Sequence, residues 1–136
     1  MPANFNPVFP LTPVLTIGKL TAANTATDGT GTTLESTAAG AFGRRVDKDI
    51  ARALGTNVQT VARIFANNGS DKTVAANNAL ITELVLPATT ADNAAEIGPH
   101  MEREINITIP SGWKVLVCIG TAVGGGWMFS VVAGDN

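Results

Sequence analysis

The chain has 136 residues, of which 45% are hydrophobic and only 15% are charged, and its net charge is −2. This length fits one domain with a single core, and the weak charge argues against nucleic acid as a main partner, because phosphate binding needs a concentrated patch of Lys and Arg. No apolar run approaches the ~20 residues of a membrane span, and the N-terminus lacks the basic start and apolar core of a signal peptide. We therefore expect a soluble protein made in a cytoplasm, with neither nucleic-acid nor membrane partners.

Residues 1–14 are predicted to form an extended arm rather than a strand. Prolines recur at positions 2, 7, 10 and 13, where they remove backbone donors and favour a polyproline-II path. The arm also carries apolar side chains that a terminal segment cannot bury by itself. We expect it to lie along its own domain or, as its density of apolar anchors favours, along a neighbouring molecule. The candidate anchors of this partner-binding arm are Phe5, Val8, Phe9 and Leu11.

The remaining residues, 15–136, are predicted to form one all-β domain. Runs of β-branched and apolar residues are separated at roughly regular spacing by turn-forming Gly, Asn, Asp and Pro. This pattern is typical of an antiparallel β-sandwich, jelly-roll-like or otherwise, with about eight strands. The predicted strands are 15–20, 33–38, 45–54, 58–66, 80–86, 101–109, 113–119 and 127–132. A helix over 44–54 is the alternative at one place, because basic residues recur there at helical spacing, but Val and Ile alternation favours a strand.

Residues 112–133 are the most apolar part of this domain. Two apolar runs flank the glycine-rich segment 120–126, which predicts an antiparallel hairpin; a second hairpin is predicted over 45–66. Because both faces of the first hairpin are apolar, one face should fill the sandwich and the other should pack on the second sheet's rim or across a subunit contact. The candidate subunit-interface residues are Leu116, Met128 and Val132, with Cys118 on the same face.

Residues suited to catalysis or metal binding are scarce. His100 is the only histidine, and no Gly-x-Ser-x-Gly motif is present. The carboxylate pairs Asp47/Asp49 and Glu102/Glu104 have arginines close in sequence or in predicted pairing, so cross-strand charge pairs are favoured over a Ca²⁺ site or acid–base catalysis. We predict no catalytic, cofactor-binding or metal-binding residues, no cofactor and no enzymatic activity. A small hydrolase using His100 with one of the two glutamates is the rival hypothesis.

The aromatic and sulfur-containing residues are predicted to serve the core. Trp113 and Trp127 are in phase with core positions, and tyrosine is absent, which argues against an exposed aromatic platform for sugars. Cys118 is the single cysteine, so no intrachain disulfide can form, and its apolar strand predicts a small buried side chain.

Several strings in the second half of the chain, within about residues 44–135, resemble those of a known family. They are VARIFANNGS (61–70), N-x-L (78–80), ELVLPATT (83–90), I-x-IPSGW (107–113) and GTAV-x-x-GW (120–127). Together they resemble small accessory proteins of tailed-bacteriophage heads, namely capsid decoration, cement or head-fibre-base proteins of β-sandwich fold. The resemblance lies in a pattern of strands and turns and does not include a catalytic signature.

This resemblance implies a virion protein on the capsid exterior, a homotrimer on or between major capsid subunits, and no enzymatic activity. The hypothesis is a structural protein that binds the outer surface of a phage capsid and stabilises the shell, with the major capsid protein and further copies of itself as partners. Weak contacts by each copy suffice when many copies bind a symmetric lattice. The alternative is a tail- or fibre-associated module that binds host glycans through the loops 21–33, 71–79 and 88–100.

Overall fold

The structure is a computed structural model and describes residues 11–136. Within this range the chain forms eight strands and a single 3₁₀ turn, Ala75–Asn77, before β5. The strands are β1 (Thr12–Leu20), β2 (Leu34–Glu35), β3 (Arg44–Ala53), β4 (Thr60–Asn67), β5 (Asn78–Leu86), β6 (Met101–Ile109), β7 (Lys114–Ile119) and β8 (Trp127–Asp135). All eight predicted strands are present, and residues 44–54, for which a helix was the alternative, are extended.

The strands form two antiparallel four-stranded sheets. Their orders are β1-β8-β3-β6, here called the β1 sheet, and β2-β7-β4-β5, the β2 sheet. The first strand pairs with the last, the third with the sixth, the second with the seventh and the fourth with the fifth. This is the arrangement of a jelly roll, in which a long antiparallel hairpin is wrapped into two facing sheets. The predicted all-β, jelly-roll-like sandwich is thus confirmed.

The two predicted hairpins are wrong, because their strands lie in opposite sheets. β7 belongs to the β2 sheet and β8 to the β1 sheet, and β3 and β4 are separated in the same way. The apolar side chains that suggested ladder partners meet instead across the interior of the sandwich. The glycine-rich segment 120–126 is therefore a corner between sheets. Gly125 allows the close approach of another corner, since a Cβ there would lie 2.5 Å from the Cα of Gly55.

The main core lies between the two sheets. Its largest fully buried apolar side chains come from both sheets and include Trp127 and Phe129 of β8, Ile64 of β4 and Ile119 of β7. Burying side chains of this size is the main favourable term in folding a domain of this length. Trp113 is half-buried and packs against this core. The prediction that both tryptophans serve the core is therefore confirmed.

A second, smaller cluster lies on the outer face of the β2 sheet. Phe65, Leu116 and Cys118 are at most 1% exposed there. The connection between β1 and β2 crosses this face, since the Asn24 amide donates to the Ile119 carbonyl at 2.8 Å, while Asn78 Nδ2 on β5 donates to the Asp28 carbonyl at 3.1 Å. This crossing connection, residues 24–33, covers the part of the outer face that carries Phe65, Leu116 and Cys118.

Two polar networks fasten the ends of the roll. At one end the buried Arg44 guanidinium binds Asp135, which ties the start of β3 to the end of β8. At the other end the buried Asn57 side chain donates to the Gly55 and Gly126 carbonyls and accepts from the Gly125 and Gly126 amides. Asn57 also donates to Thr89 Oγ1. Three connections between sheets are thereby held together by one side chain.

Candidate binding surface

The outer face of the β1 sheet carries exposed apolar side chains along its edge strand. Leu15 and Ile17 of β1 are each 62% exposed. The strand alternates, so their neighbours Thr16 and Gly18 face the interior. Gly18 is close to Leu34 of β2, because a Cβ at Gly18 would lie 2.5 Å from Leu34 Cδ1. Among residues 11–136 β1 pairs with β8 alone, so its outer stripe lies at an edge of the sheet that these residues form.

The stripe continues onto the adjacent strands. In the antiparallel register Leu15 faces Val132 of β8 and Ile17 faces Ser130, and Met128 lies four pairs beyond Val132, opposite Lys19. Both β8 side chains are half-buried and point to the same outer face as Leu15 and Ile17. Directly opposite residues on one face lie close enough for their side chains to touch. The exposed residues of β1 and the half-buried residues of β8 thus form one apolar surface.

Two further exposed apolar residues lie at the end of the sheet where β1 begins. Leu11 is 85% exposed and Phe42, in the connection before β3, is 82% exposed. The Leu11 amide donates to the Asp135 carbonyl at 2.8 Å, and the Asn136 amide donates to the Gly43 carbonyl at 3.2 Å. These bonds bring both residues next to the end of β8. We call the set the β1 surface; it comprises Leu11, Leu15, Ile17, Phe42, Met128 and Val132.

The other half of the same outer face is charged. Its charged residues include Lys48 on β3 and Glu102 on β6, with Lys48 Nζ 3.5 Å from Glu102 Oε2. His100 Nε2 lies 2.9 Å from the same carboxylate oxygen. The hydrogen bond from His100 and the charge of Lys48 lower the pKa of Glu102. The face therefore changes from apolar at β1 to charged at β6.

Asp49 departs from the predicted charge pairs. It is 0% exposed on the interior side of β3, and neither carboxylate oxygen has a hydrogen-bond partner among residues 11–136. Burial raises the pKa of Asp49 to about 7. The prediction of a cross-strand charge pair for Asp49 is wrong. The cause is an irregularity between Val46 and Lys48, where β3 shifts its register against both neighbouring strands, so that Val46 and Asp49 both point inward.

The predicted partner-binding residues are distributed unevenly. Phe5, Val8 and Phe9 lie outside the described residues, whereas Leu11 is exposed and belongs to the β1 surface. The predicted arm, residues 1–14, extends three residues too far toward the C-terminus, because β1 begins at Thr12 and residues 12–14 belong to the strand.

Of the three predicted subunit-interface residues, Met128 and Val132 lie in the β1 surface. Leu116 is 0% exposed beneath its own chain, so its assignment to a subunit contact is wrong. The prediction did not include Leu15, Ile17 and Phe42. For Leu15 and Ile17 the sequence did carry a signal, since alternate positions from Leu11 to Ile17 are apolar.

The loops of the glycan-binding alternative do not form one cluster. Residues of 21–33 and 71–79 do meet, since Lys72 Nζ donates to the Gly31 carbonyl at 3.2 Å and to Thr33 Oγ1 at 2.8 Å. Loop 88–100 instead pairs with the β3–β4 connection through Asn57 and Thr89.

Among residues 11–136, no three His, Cys, Asp or Glu side chains are grouped as a metal site would require. In the same range, no helix has the length and apolar character needed to cross a membrane.

Comparison with known proteins gives distant likenesses of fold. No protein-family model and no curated protein matches the chain. A cleaved adhesin domain of Lys-gingipain from Porphyromonas gingivalis is similar with a TM-score of 0.46 and 16% identity, over 76% of this chain and 63% of the other. A chain from the structure of infectious bursal disease virus, Gx strain, is similar with a TM-score of 0.35 and 14% identity, over 98% of this chain and 36% of the other. This chain thus spans less than two thirds of either neighbour.

Proposed function

We propose that the protein is a structural component of a phage virion, which binds the outer surface of the capsid on or between major capsid subunits and stabilises the shell. The observation that carries this proposal is the β1 surface, whose Leu11, Leu15, Ile17 and Phe42 are 62–85% exposed, more than any other large apolar side chain among residues 11–136. The resemblance of residues 44–135 to phage head accessory proteins points in the same direction. The partners are the major capsid protein and further copies of this chain, as a homotrimer.

The chemistry of the β1 surface suits attachment to a protein lattice. Burying one exposed Leu, Ile or Phe side chain contributes ~1.5–3 kcal/mol, so the few exposed residues of the β1 surface offset only part of the cost of association. A single contact of this kind is weak. On a capsid, however, oligomers engage several equivalent sites at once, and the effective concentration of the second contact raises occupancy strongly. The low net charge of −2 leaves this association unopposed by repulsion.

Occupancy of capsids assembled from the major capsid protein of the same virus tests the proposal. The double variant Leu11→Ser/Phe42→Ser should bind roughly a hundredfold more weakly, because each lost apolar contact is worth roughly a factor of ten. The matched control is Val85→Ser on β5, a residue 57% exposed in the other sheet, which should bind as the wild type does. Equal occupancy by the double variant and the control would show that the β1 surface does not bind the capsid.

Failure of the wild type to bind capsids, together with reproducible hits on a glycan array, would favour host adhesion instead.

A further inference from the structure

The apolar stripe on β1 continues in the sequence beyond the start of the strand. Odd-numbered residues of β1 point outward, and all seven odd positions from 5 to 17 are apolar. They are Phe5, Pro7, Phe9, Leu11, Pro13, Leu15 and Ile17. A period of two over this length is the pattern of an extended segment with one apolar face. Residues 5–9 therefore carry the same kind of face that β1 leaves exposed.

The prolines disfavour a return of this segment over its own sheet. Pro7 and Pro10 have fixed φ angles, and the residues before them are pushed away from the helical region into extended conformations. A tight reversal just before β1 is therefore opposed. A fully extended segment of ten residues reaches ~33 Å, which is close to the ~30 Å length of the nine-residue strand β1. The segment is long enough to cover the outer stripe of a neighbouring molecule from end to end.

We propose that residues 1–10 of one copy dock on the β1 surface of a second copy, with Phe5, Pro7 and Phe9 against Leu15, Ile17 and Val132. The docking is through side chains on the sheet face. The docked segment does not extend the β-ladder of the second copy. Pro7 is one of the docking positions and Pro10 follows Phe9, and proline lacks the N–H that a ladder needs.

A second copy is favoured as the occupant because both halves of the contact are on one chain and match in character and length. Residues 2–18 carry no charged side chain, and the stripe they would cover is equally uncharged apart from Lys19 at its far end. The contact joins different surfaces on the two copies, so it is heterologous and can close into a ring. It supplies the subunit contact that the proposed homo-oligomer requires, and to that extent it rests on the proposed function. Within the oligomer it covers Leu15, Ile17 and Val132, and it leaves Leu11, Phe42 and Met128 of the β1 surface to the capsid.

Photo-crosslinking between isotopically distinct copies tests the docking directly. Full-length protein with p-benzoylphenylalanine in place of Phe9 is mixed with ¹⁵N-labelled wild type, irradiated and mapped by mass spectrometry. Crosslinks from the unlabelled arm to labelled peptides within 11–20 and 127–135 are expected. Crosslinks that stay within one copy, or that fall on 78–86 of the other sheet's edge strand, would overturn the inference.

The oligomeric state gives an independent readout. Deleting residues 1–10 leaves every described strand intact, so the truncated protein should keep its far-UV circular dichroism spectrum but sediment as a monomer. Leu15→Ser/Ile17→Ser should do the same, while Val85→Ser stays oligomeric. An oligomer that survives the deletion, or a full-length protein that is monomeric at ~100 µM, would contradict the docking. If intercopy crosslinks form but the protein does not bind capsids, this inference stands and the proposed function is overturned. If the protein binds capsids but forms no intercopy crosslinks, the proposed function stands and this inference is overturned.

Discussion

Arg44 and Asp135 form a two-point ion pair, with Nε to Oδ1 at 2.7 Å and Nη2 to Oδ2 at 3.2 Å. The guanidinium is buried and also donates to the Thr37 and Ala38 carbonyls at 2.7 and 3.0 Å. Asp135 is its counter-ion near the end of β8, and the side chain of this aspartate is 22% exposed. The pair therefore fixes the end of β8, next to which Leu11 and Phe42 of the β1 surface lie.

Replacing Asp135 with Ala should destabilise the fold by about 3 kcal/mol, because it leaves a buried guanidinium without a counter-ion. The control is Glu102→Gln, which breaks the exposed contact with Lys48 and should cost less than ~1 kcal/mol. Urea unfolding at pH 7 measures both. Equal costs for the two variants would mean that the buried pair contributes no more than a surface contact.

The pH dependence of stability should show two opposite contributions. The hydrogen bond from Arg44 lowers the pKa of Asp135 below its ordinary 3.8, so its contribution is present above that value and is lost as pH falls through the lowered pKa. Asp49 has the opposite sign. Burial raises its pKa to about 7, so its contribution is fully present below 3.8 and is lost as pH rises through 7.

Asp49→Asn should therefore stabilise the protein at pH 8 and leave it nearly unchanged at pH 4. At ~1.4 kcal/mol for each pH unit by which the pKa is displaced, the gain at pH 8 is on the order of 4 kcal/mol as an upper bound. Thermal unfolding from pH 4 to pH 9 measures it, with Asp47→Asn, an exposed carboxylate two residues away, as the control. A parallel pH profile for Asp49→Asn and wild type would show that the carboxylate finds a partner when it ionises, and Arg103, its register neighbour on β6, is the candidate.

Asn57→Ala should cost about 2–3 kcal/mol, because the buried Gly126 amide loses its acceptor and a buried unpaired group costs ~1–3 kcal/mol. The Gly125 amide loses one of two acceptors and keeps the Thr56 carbonyl. Asn93→Ala, in the exposed β5–β6 connection, is the control and should lie within ~0.5 kcal/mol of wild type. Chemical denaturation measures both. A cost below 1 kcal/mol for Asn57→Ala would indicate that water or local movement satisfies the Gly126 amide.

The cover over the β2 sheet can be tested through the thiol beneath it. Cys118 is 1% exposed, and burial raises its pKa, so labelling by a thiol reagent should be slow. Asn24 Nδ2 donates to the Thr30 and Thr32 carbonyls at 2.8 and 2.9 Å, which shapes the crossing connection. Asn24→Ala should speed labelling several-fold under native conditions, whereas Thr25→Ala in the same connection should not. Unchanged labelling in Asn24→Ala would assign the cover to other contacts.

The sequence was sufficient for the strands but not for their partners. Alternation and turn residues located every strand, because both signals are local. Pairing across a jelly roll depends on contacts that are distant in sequence, and the two-sided apolarity of β7 and β8 fits a hairpin as well as it fits two sheets facing each other. The length of segment 120–126 was the available hint, since tight hairpins use two-residue turns.

The site was predictable to a similar extent. Met128 and Val132 were recognised because their strand is apolar on both faces, and Leu116 was included for the same reason. Sequence cannot show that residues 24–33 fold back over Leu116, because that cover is made by hydrogen bonds of polar loop residues. The inward position of Asp49 was also hidden, since one extra residue in β3 exchanges the two faces of everything beyond it.

The place of β8 in the middle of its sheet has a consequence during synthesis. β1 and β3 both pair with β8, and β8 follows them on the chain, so neither strand can complete its ladder until residues 127–135 have left the ribosome. For most of translation the apolar edge of β1 is therefore open on both sides to other nascent chains, and copies made on neighbouring ribosomes have their greatest opportunity for misassembly before folding is finished.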